Sequence, residues 1–265
     1  MYATRIKRLR LFLVLQHVFA YVSFSTFGTM STKLDILAFG AHPDDVELGA
    51  GGTLISHKKM GYAFGIVDLT LGELGTRGTV QVRLKEAAAA AKIMGAKVRE
   101  NLKFKDGFFK NDTTHQLEVI KVIRKYQPEI VICNAPEDRH PDHGRGGDLL
   151  EEACFYAGLE KIVTKGLKPW RPKQVWHYIQ FRDLKPTILV DITDSIDIKM
   201  QAIKAHGSQF YDPKSKEPAT LISQPEFLEN VMARGSYYGQ YIGAKYAEGF
   251  ITKKMLGVNN LFQLK

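Results

Sequence analysis

Short apolar runs alternate with longer segments that carry apolar residues at helical intervals, beginning near residue 34. The first four strand-like runs cover residues 34–40, 64–70, 97–104 and 129–134. Helical patterns follow them at residues 46–59, 79–94, 117–126 and 147–156. Strands that alternate with helices of this length predict βαβ units, which have right-handed crossovers and form parallel sheets. We therefore predict an α/β fold, with a Rossmann-like, mainly parallel sheet and helices on both faces.

The rest of the chain continues this pattern. Two strand-like runs and two helical segments follow, at residues 175–181, 187–192, 194–206 and 225–241. The polar loop of residues 212–220 is interpreted as a mobile flap. A chain of 265 residues with 45% hydrophobic and 25% charged residues has an ordinary globular composition. Because α/β domains routinely exceed 200 residues, we expect a single domain.

The formal net charge of +9 is unevenly distributed. Residues 1–29 carry four basic residues and no acidic ones, which leaves +5 for the remaining chain. A modest positive excess favours a small anionic substrate. The sequence has no basic stripe interleaved with aromatic residues and no nucleic-acid-binding motif, so we expect no nucleic acid partner.

Residues 1–29 have two interpretations. Basic residues followed by the apolar run of residues 11–22 have the outline of a secretory signal, which would make the protein exported or membrane-anchored. However, no small-x-small cleavage site follows, and the run is too short to span a bilayer. We favour Met30 as the natural start, because the first strand follows within a few residues. Residues 30–265 then form the domain, the extension reflects a misplaced start, and the protein is expected to be cytoplasmic without stable membrane association.

Two clusters of imidazole and carboxylate side chains follow strand-like runs. The first, Ala-His-Pro-Asp-Asp-Val-Glu, directly follows the first run and contains His42, Asp44 and Asp45. The second, His-Pro-Asp-His-Gly-Arg, comes shortly after the fourth run and contains His140 and His143. Ligands of open α/β sheets bind outside the carboxyl ends of the strands. A parallel sheet would bring both clusters to that edge, so we expect them to form one site.

The side chains in these clusters suit a metal ion. Imidazole and carboxylate groups bind Zn²⁺, and a catalytic zinc site typically has three protein ligands and one position for water. The first cluster offers two ligands, and the second supplies the third. Zinc lowers the pKa of a bound water to about 7, and a neighbouring carboxylate can then act as the general base.

Other site motifs are incomplete. Gly49, Gly51 and Gly52 suggest a dinucleotide fingerprint, but G-x-G-x-x-G requires glycine where Leu54 stands. The chain has no G-x-x-x-x-G-K-[ST] and no G-x-S-x-G, so phosphate-loop and nucleophile-elbow chemistries lack their essential residues. Metal-assisted hydrolysis is therefore the chemistry that the motifs support.

The two motifs together resemble those of the PIG-L/LmbE-like zinc N-deacetylase family, whose members remove an N-acetyl group from a glucosamine derivative. Residues 71–79, 205–210 and 245–250 also look familial, and the resemblance extends from about residue 34 to residue 250. The chain is most similar to the branch that converts N-acetylglucosaminyl-malate to glucosaminyl-malate and acetate in bacillithiol biosynthesis, as residues 220–228 also suggest. Family members often form trimers or hexamers, so the resemblance implies a homo-oligomer. The sequence contains no independent signature of one.

The resemblance also implies roles for individual residues. It places the zinc ligands on His42, Asp45 and His143. Asp44 is expected to be the general base, and a protonated His140 is expected to stabilise the tetrahedral oxyanion with the metal. Asp142 is expected to hydrogen-bond to a site histidine and to fix its tautomer or charge. Fe²⁺ is an alternative metal for the same ligands.

Four further residues have less specific signals. Arg77 lies on a glycine-rich loop and is our candidate for binding the substrate's carboxylates, the alternative being an exposed arginine in a turn. Glu47 in the first helical turn suits helix capping as well as sugar binding. His206 suits either a helix cap or the pocket wall. Arg145 suits a structural salt bridge as readily as a substrate contact.

Alternative functions remain open at this point. The substrate could be another N-acetylglucosamine conjugate, such as a mycothiol precursor, a chitin oligomer or a glycolipid. A non-catalytic sugar-binding protein is a further alternative. It is disfavoured because a binding protein would require neither Asp44 beside a ligand nor His140 three positions before His143.

Overall fold

Seven strands form one sheet within residues 33–263, the part of the chain that this computed structural model describes. They are β1 (Ile36–Gly40), β2 (Phe64–Thr70), β3 (Val98–Phe104), β4 (Ile130–Asn134), β5 (Gln174–Tyr178), β6 (Ile188–Asp191) and β7 (Ala247–Ile251). Their order is β3-β2-β1-β4-β5-β7-β6. The first five strands pair in parallel, whereas β7 is antiparallel to both β5 and β6. The predicted extension of residues 1–29 lies outside the described residues.

Six α-helices cover the two faces of the sheet in this part of the chain. They are α1 (Asp45–Lys59), α2 (Val80–Met94), α3 (Thr113–Tyr126), α4 (Pro141–Ala157), α5 (Ile196–Lys204) and α6 (Phe227–Gln240). Leu37 and Phe39 of β1 pack in one apolar cluster with residues of α3 and α4. Ile36 and Ala38 pack in a second cluster with residues of α1, α2 and α5. Since alternate residues of a strand face opposite sides, the predicted α/β fold with helices on both faces is confirmed.

Between Lys33 and Gln263, no helix has both the length and the apolar character needed to cross a bilayer.

The strand β7 was not predicted from the sequence. Its residues include Glu248 and Gly249, and both residue types are depleted in strands. Glu248 is only 4% exposed, and it accepts hydrogen bonds from Lys199 Nζ at 2.6 Å and from the backbone N–H of Gly52 at 2.9 Å. Partners from distant segments therefore make this buried carboxylate tolerable, which a local pattern does not reveal.

The helix α4 begins earlier than the sequence predicts, at Pro141 instead of residue 147. His140 is its N-cap, and the Nδ1 atom of this side chain accepts a hydrogen bond from the backbone N–H of Asp142. Proline is favoured in the first helical turn, because its missing N–H would have no intrahelical partner there. The second motif therefore lies on a rigid helical turn and not in a loop.

The glycines of α1 serve helix packing. A Cβ atom at Gly49 would lie 2.1 Å from the Tyr178 ring, and one at Gly52 would lie 2.8 Å from Ile192. Both separations are shorter than any van der Waals contact, so only glycine allows α1 to approach these neighbours. This requirement explains the glycine pattern that resembled an incomplete dinucleotide fingerprint.

Candidate metal and catalytic site

The two histidine motifs meet at the carboxyl ends of neighbouring strands. β1 and β4 pair in parallel with Ile36 opposite Ile130, so the loops that follow them leave the sheet side by side. The ring centroid of His42 lies 4.5 Å from that of His140 and 5.6 Å from that of His143. The structure thus brings the two motifs together at the sheet edge where the sequence places them.

The three predicted zinc ligands direct their donor atoms toward one another. His42 Nδ1 lies 3.5 Å from Asp45 Oδ2, and His143 Nε2 lies 3.2 Å from Asp45 Oδ1. Donors about 2.0 Å from a tetrahedral zinc ion stand roughly 3.3 Å apart, so this spacing and donor chemistry suit the ion. The imidazoles of His42, His140 and His143 form a second candidate set, with donor atoms within 4.8 Å of one another. The choice of His42, Asp45 and His143 as ligands stays a prediction.

Each of the two predicted histidine ligands has a carboxylate within hydrogen-bond distance of the ring nitrogen that points away from Asp45. His42 Nε2 is 3.0 Å from Asp106 Oδ1, and His143 Nδ1 is 2.8 Å from Asp138 Oδ2. Metal-binding histidines commonly donate their second ring N–H to a carboxylate, which fixes the tautomer and the ring orientation. These contacts leave Nδ1 of His42 and Nε2 of His143 directed toward Asp45, as metal binding requires.

Sequence reasoning missed both of these carboxylates. Asp138 stands two residues before His140 in the loop that follows β4, and Asp106 comes shortly after β3. Both therefore follow the carboxyl ends of parallel strands, which is a signal that the sequence contains. Neither belongs to a recognisable motif, so nothing in the sequence pairs a given acid with a given histidine.

The electrostatics of the cluster favour a cation. Burial alone would lower the pKa of His42, but hydrogen bonds to Asp106, Asp142 and Asp45 outweigh it and raise the pKa well above its usual value. Burial likewise opposes protonation of His143, while the Asp45 charge and the hydrogen bond to Asp138 raise its pKa to about 9. A site that holds protons this strongly presents negative potential to any cation, including a metal ion.

Asp45 is held by neutral donors as well as by the histidines. Its Oδ1 accepts a hydrogen bond from Gln180 Nε2 at 2.8 Å, and its Oδ2 accepts from Asn134 Nδ2 at 3.2 Å and from the backbone N–H of His42 at 2.9 Å. Burial would raise the pKa of Asp45, but the charge and hydrogen bond of His143 dominate and lower it well below its usual value. Asp45 is therefore an oriented, ionised carboxylate, the state that a metal ligand needs.

Asp44 occupies a strained position next to this carboxylate. Its backbone has φ 132° and ψ −23°, a region that L-residues rarely adopt. Burial raises the pKa of its carboxyl to about 6, and the nearby Arg83 guanidinium opposes part of that effect. A carboxylate with a pKa close to neutral suits a general base. Backbone strain of this kind is concentrated at functional sites.

The surroundings of His140 do not favour the protonated ring that the sequence predicted. Its Nδ1 accepts the backbone N–H of Asp142 at 3.2 Å, so the proton of the neutral ring is on Nε2. Burial and the neighbouring His42 and His143 lower the pKa of this imidazole. The direction of this pKa shift favours a neutral ring, which would donate from Nε2, over the predicted imidazolium. The place of His140, 4.5 Å from the His42 ring, still suits stabilisation of an oxyanion.

Asp142 contacts site histidines in two ways. Its backbone fixes the tautomer of His140, and its Oδ2 lies 3.5 Å from His42 Nε2. The same carboxylate accepts the Gly107 backbone N–H at 2.8 Å and pairs with Arg145 Nη1 at 2.5 Å. Arg145 is thus engaged in the structural ion pair that was one of its two expected roles.

Arg77 is not brought to this cluster. Its side chain is buried, and its Nε donates to Ser208 O at 2.9 Å while Nη2 donates to Ser215 Oγ at 3.0 Å. Glu217 accepts the backbone N–H of Gly78 at 2.9 Å. These contacts attach the loop of residues 212–220 to the glycine-rich loop, so Arg77 holds two loops together.

We therefore expect the Arg77→Ala substitution to destabilise the protein and to leave substrate preference unchanged. Removing a charged donor from two buried hydrogen bonds should lower the free energy of unfolding by about 1.5–3 kcal/mol. Urea denaturation would measure this loss. Acetate release from a carboxylate-bearing substrate and a neutral one would measure preference, and a selective loss on the carboxylate-bearing substrate would restore the binding role.

Glu47 and His206 belong to a buried charge cluster beneath the site. Both side chains are fully buried, and His206 Nε2 lies 3.2 Å from Glu47 Oε1. Arg99 donates to Glu47 and forms two hydrogen bonds of 2.8 Å with Asp68. Burial opposes ionisation of Glu47, but Arg99 and His206 lower its pKa to about 2. The cluster joins α1, β2 and β3. Glu47 and His206 therefore contribute to packing between these elements, and neither lines the cleft.

A cleft of about 660 Å³ opens over the histidines. Its floor includes His42, Asp44 and His140, and one wall comes from the start of α6, with Phe227 and Val231. This volume exceeds that of a single sugar ring, so the cleft has room for an acetylated sugar and a second group attached to it. The three proposed metal ligands, together with Asp44 and His140, all line this cleft.

Sequence comparison identifies the family. The model of the PIG-L family, described as GlcNAc-PI de-N-acetylase, matches residues 37–154, which include both motifs. The diacetylchitobiose deacetylase of Thermococcus kodakarensis is 33% identical over 228 residues, which cover 81% of each chain. This chain belongs to the PIG-L family. The family resemblance predicted from the two motifs is confirmed, and the protein is an N-deacetylase, a hydrolase that cleaves an amide bond.

Two further comparisons extend the relationship of this PIG-L protein. The probable N-acetyl-alpha-D-glucosaminyl L-malate deacetylase 2 of Bacillus anthracis is 26% identical over 200 residues, covering 68% of this chain and 84% of that protein. The crystal structure of the conserved protein TT1542 from Thermus thermophilus is 36% identical, with a TM-score of 0.77 over 85% of this chain and 98% of that one. The shared fold therefore covers nearly the whole described domain.

Proposed function

We propose that this protein is a zinc-dependent deacetylase that hydrolyses N-acetylglucosaminyl-malate to glucosaminyl-malate and acetate, the reaction named for the Bacillus anthracis relative. The observation that supports this substrate is a pair of arginines on the cleft wall. Malate carries two carboxylates, and guanidinium groups are well suited to binding them. The partner is accordingly a small anionic sugar conjugate.

Arg139 and Arg234 flank Phe181 in the cleft. The Arg139 guanidinium lies over the Phe181 ring at 5.0 Å from its centroid, and Arg234 Nη2 donates to Phe181 O at 2.8 Å. All three residues line the cleft. Among the residues that the structure describes, neither guanidinium forms an ion pair with a carboxylate, so both keep donors available for an anion. These two residues take the place that the sequence analysis predicted for Arg77.

The catalytic residues can divide the reaction as follows. When zinc is bound to His42, Asp45 and His143, it supplies a Lewis acid and lowers the pKa of a water. Asp44 takes a proton from the attacking water as the general base. The acetamide carbon becomes tetrahedral, and the Nε2–H of His140 donates to its oxyanion. The carbon–nitrogen bond then breaks, the proton passes to the departing amine, and acetate and the free amine are released.

Fe²⁺ is the alternative metal in this proposal. Imidazole and carboxylate ligands bind Zn²⁺ and Fe²⁺ alike, and metal availability in the cell contributes to the choice. The described donor atoms carry no thiolate that would favour zinc over iron. The functional assay should therefore compare both ions.

Diacetylchitobiose is the second candidate substrate. It is the substrate named for the Thermococcus kodakarensis relative, which is more similar to this chain than the Bacillus anthracis protein is. The cleft volume of about 660 Å³ also accommodates two sugar rings. If this candidate is right, the part of the cleft near Arg139 and Arg234, the aglycone site, binds a neutral sugar, and the two arginines contribute little to substrate affinity.

The decisive experiment is acetate release by the purified full chain. N-acetylglucosaminyl-malate, diacetylchitobiose and free N-acetylglucosamine would be compared after chelation and after addition of Zn²⁺ or Fe²⁺. Preference for the malate conjugate, lost on chelation, is the result that we expect. Preference for diacetylchitobiose would replace the proposed substrate, and release that a chelator does not affect would contradict the metal mechanism.

The Arg234→Gln substitution tests the role of the aglycone site. Loss of one charged hydrogen bond of about 1.5 kcal/mol should raise KM for the malate conjugate about 10-fold, with KM for diacetylchitobiose unchanged. Arg171→Gln is the matched control, because Arg171 Nη2, like Arg234 Nη2, donates to a phenylalanine carbonyl oxygen, Phe155 O at 2.9 Å, and Arg171 is not among the residues that line the cleft. Equal KM changes for the two substrates would show that Arg234 does not recognise carboxylates.

A further inference from the structure

Arg83 lies beneath the loop that carries Asp44 and has no role in the reaction described above. It stands in the first turn of α2 and is only 4% exposed. Its Nη2 donates to Pro43 O at 3.0 Å and lies 3.5 Å from Asp44 Oδ2. Its Nη1 donates to Gly72 O at 2.9 Å. One guanidinium therefore connects α2, the Asp44 loop and the glycine-rich loop.

Two glycines make room for this guanidinium. A Cβ atom at Gly72 would lie 2.0 Å from Arg83 Nη1, and one at Gly75 would lie 2.8 Å from the same atom. Gly72 also has φ +65°, a conformation that favours glycine. The packing of Arg83 thus explains Gly72 and Gly75, two of the glycines in the familial stretch 71–79.

Arg83 contacts both the backbone next to Asp44 and the Asp44 side chain. Asp44 has φ 132°, and a non-glycine residue persists in such a conformation only where its surroundings hold it there. Arg83 binds the carbonyl on the N-terminal side of Asp44 and also approaches its carboxylate. The 3.5 Å separation from Oδ2 is long for a hydrogen bond, so the carboxylate is oriented but keeps its capacity to accept a proton.

We propose that Arg83 is a positioning residue that holds Asp44 in the orientation required for proton abstraction. This inference rests on the catalytic role proposed for Asp44. Arg83 also lines the cleft, but both of its terminal nitrogens bond to backbone carbonyls next to the Asp44 loop, so we assign its effect to the orientation of Asp44.

A double-mutant cycle tests the proposal. Arg83→Gln, Asp44→Asn and the double variant would be compared with the full-length wild type, using whichever of the two candidate substrates the wild type hydrolyses. We expect Arg83→Gln to lower kcat about 10²-fold, the cost of misplacing a reacting group by about 1 Å, with KM and zinc content unchanged. In the Asp44→Asn background the same change should have no further effect, since residues that act as a unit are not additive.

Several outcomes would overturn the inference. Multiplicative losses in the double variant would show that Arg83 acts independently of Asp44, and a rise in KM at constant kcat would make it a substrate ligand. A crystal structure of Arg83→Gln with Asp44 unmoved would contradict the proposal without reference to activity. If Asp44→Asn alone kept full turnover, the proposed catalytic role of Asp44 would fail, which is a separate result.

Two further variants separate positioning from folding. Arg124→Gln is the matched control, because Arg124 is 2% exposed and its Nε and Nη2 donate to Ala157 O and Leu159 O, away from the cleft. It should lower the melting temperature and leave kcat unchanged. Gly75→Ala would displace the Arg83 guanidinium while keeping its charge, so it reports the same effect if Arg83→Gln does not fold. A normal kcat in Gly75→Ala together with a displaced guanidinium would contradict the proposal.

Discussion

The Asp44→Asn variant should lose most of its turnover and keep its metal. Asparagine preserves the shape of the side chain and tolerates unusual backbone conformations, but it cannot take a proton from water. General base catalysis contributes about 10²- to 10⁴-fold to rate, so kcat for acetate release should fall by that factor. Metal content by elemental analysis should stay at the wild-type level, because Asp44 is not one of the proposed ligands.

Asp197→Asn is the control for this substitution. Asp197 is an exposed carboxylate in the first turn of α5, away from the histidine cluster, and its replacement should leave kcat unchanged. Loss of metal from Asp44→Asn would contradict the division of roles between Asp44 and Asp45. Full activity in that variant would show that another group acts as the base.

Two substitutions around one histidine should produce graded losses of metal. His143→Ala removes a proposed ligand, so the purified protein should contain no bound zinc and release no acetate. Asp138→Asn keeps the His143 ligand but removes the charge of the group that contacts His143 Nδ1. This loss should reduce metal affinity about 10- to 100-fold. Competition with a chromogenic chelator would measure both affinities on the same scale, and saturating zinc should restore activity to Asp138→Asn only.

The control for this pair is Asp148→Asn on the same helix as His143. Asp148 is 58% exposed and lies 3.9 Å from Lys253, so its replacement should change neither affinity nor rate. Retention of tightly bound metal by His143→Ala would favour His140 as a ligand, as the alternative histidine set allows. An unchanged affinity in Asp138→Asn would show that the carboxylate does not support the metal site.

The order of strands and helices was readable from the sequence because it depends on local periodicity. Apolar runs and helical intervals predicted six of the seven strands, and the βαβ alternation predicted that most of them lie parallel. The exceptions follow from tertiary contacts. β7 contains a buried glutamate that Lys199 stabilises, and the start of α4 depends on the cap that His140 provides.

Part of the candidate site was also predictable from the sequence, because it depends on the positions of residues relative to strands. His42 and His143 each follow a strand, and parallel pairing of those strands is enough to bring them together. The residues that orient them come from separate parts of the chain: Asp106 is 64 positions from His42, and Gln180 is 135 positions from Asp45. Nothing in a local pattern indicates which of many acids or amides will make such a contact.

The sequence by itself determined the fold class, the family, and the sheet edge at which the two histidine motifs meet. Only the tertiary structure decided that Arg77 joins two loops, that Arg139 and Arg234 line the cleft, and that His140 Nδ1 accepts from the backbone N–H of Asp142. The succession of strands and helices along the chain and the positions of the motifs within it follow from short-range patterns. The direction, partner and charge of a side chain depend instead on which distant segments pack around it.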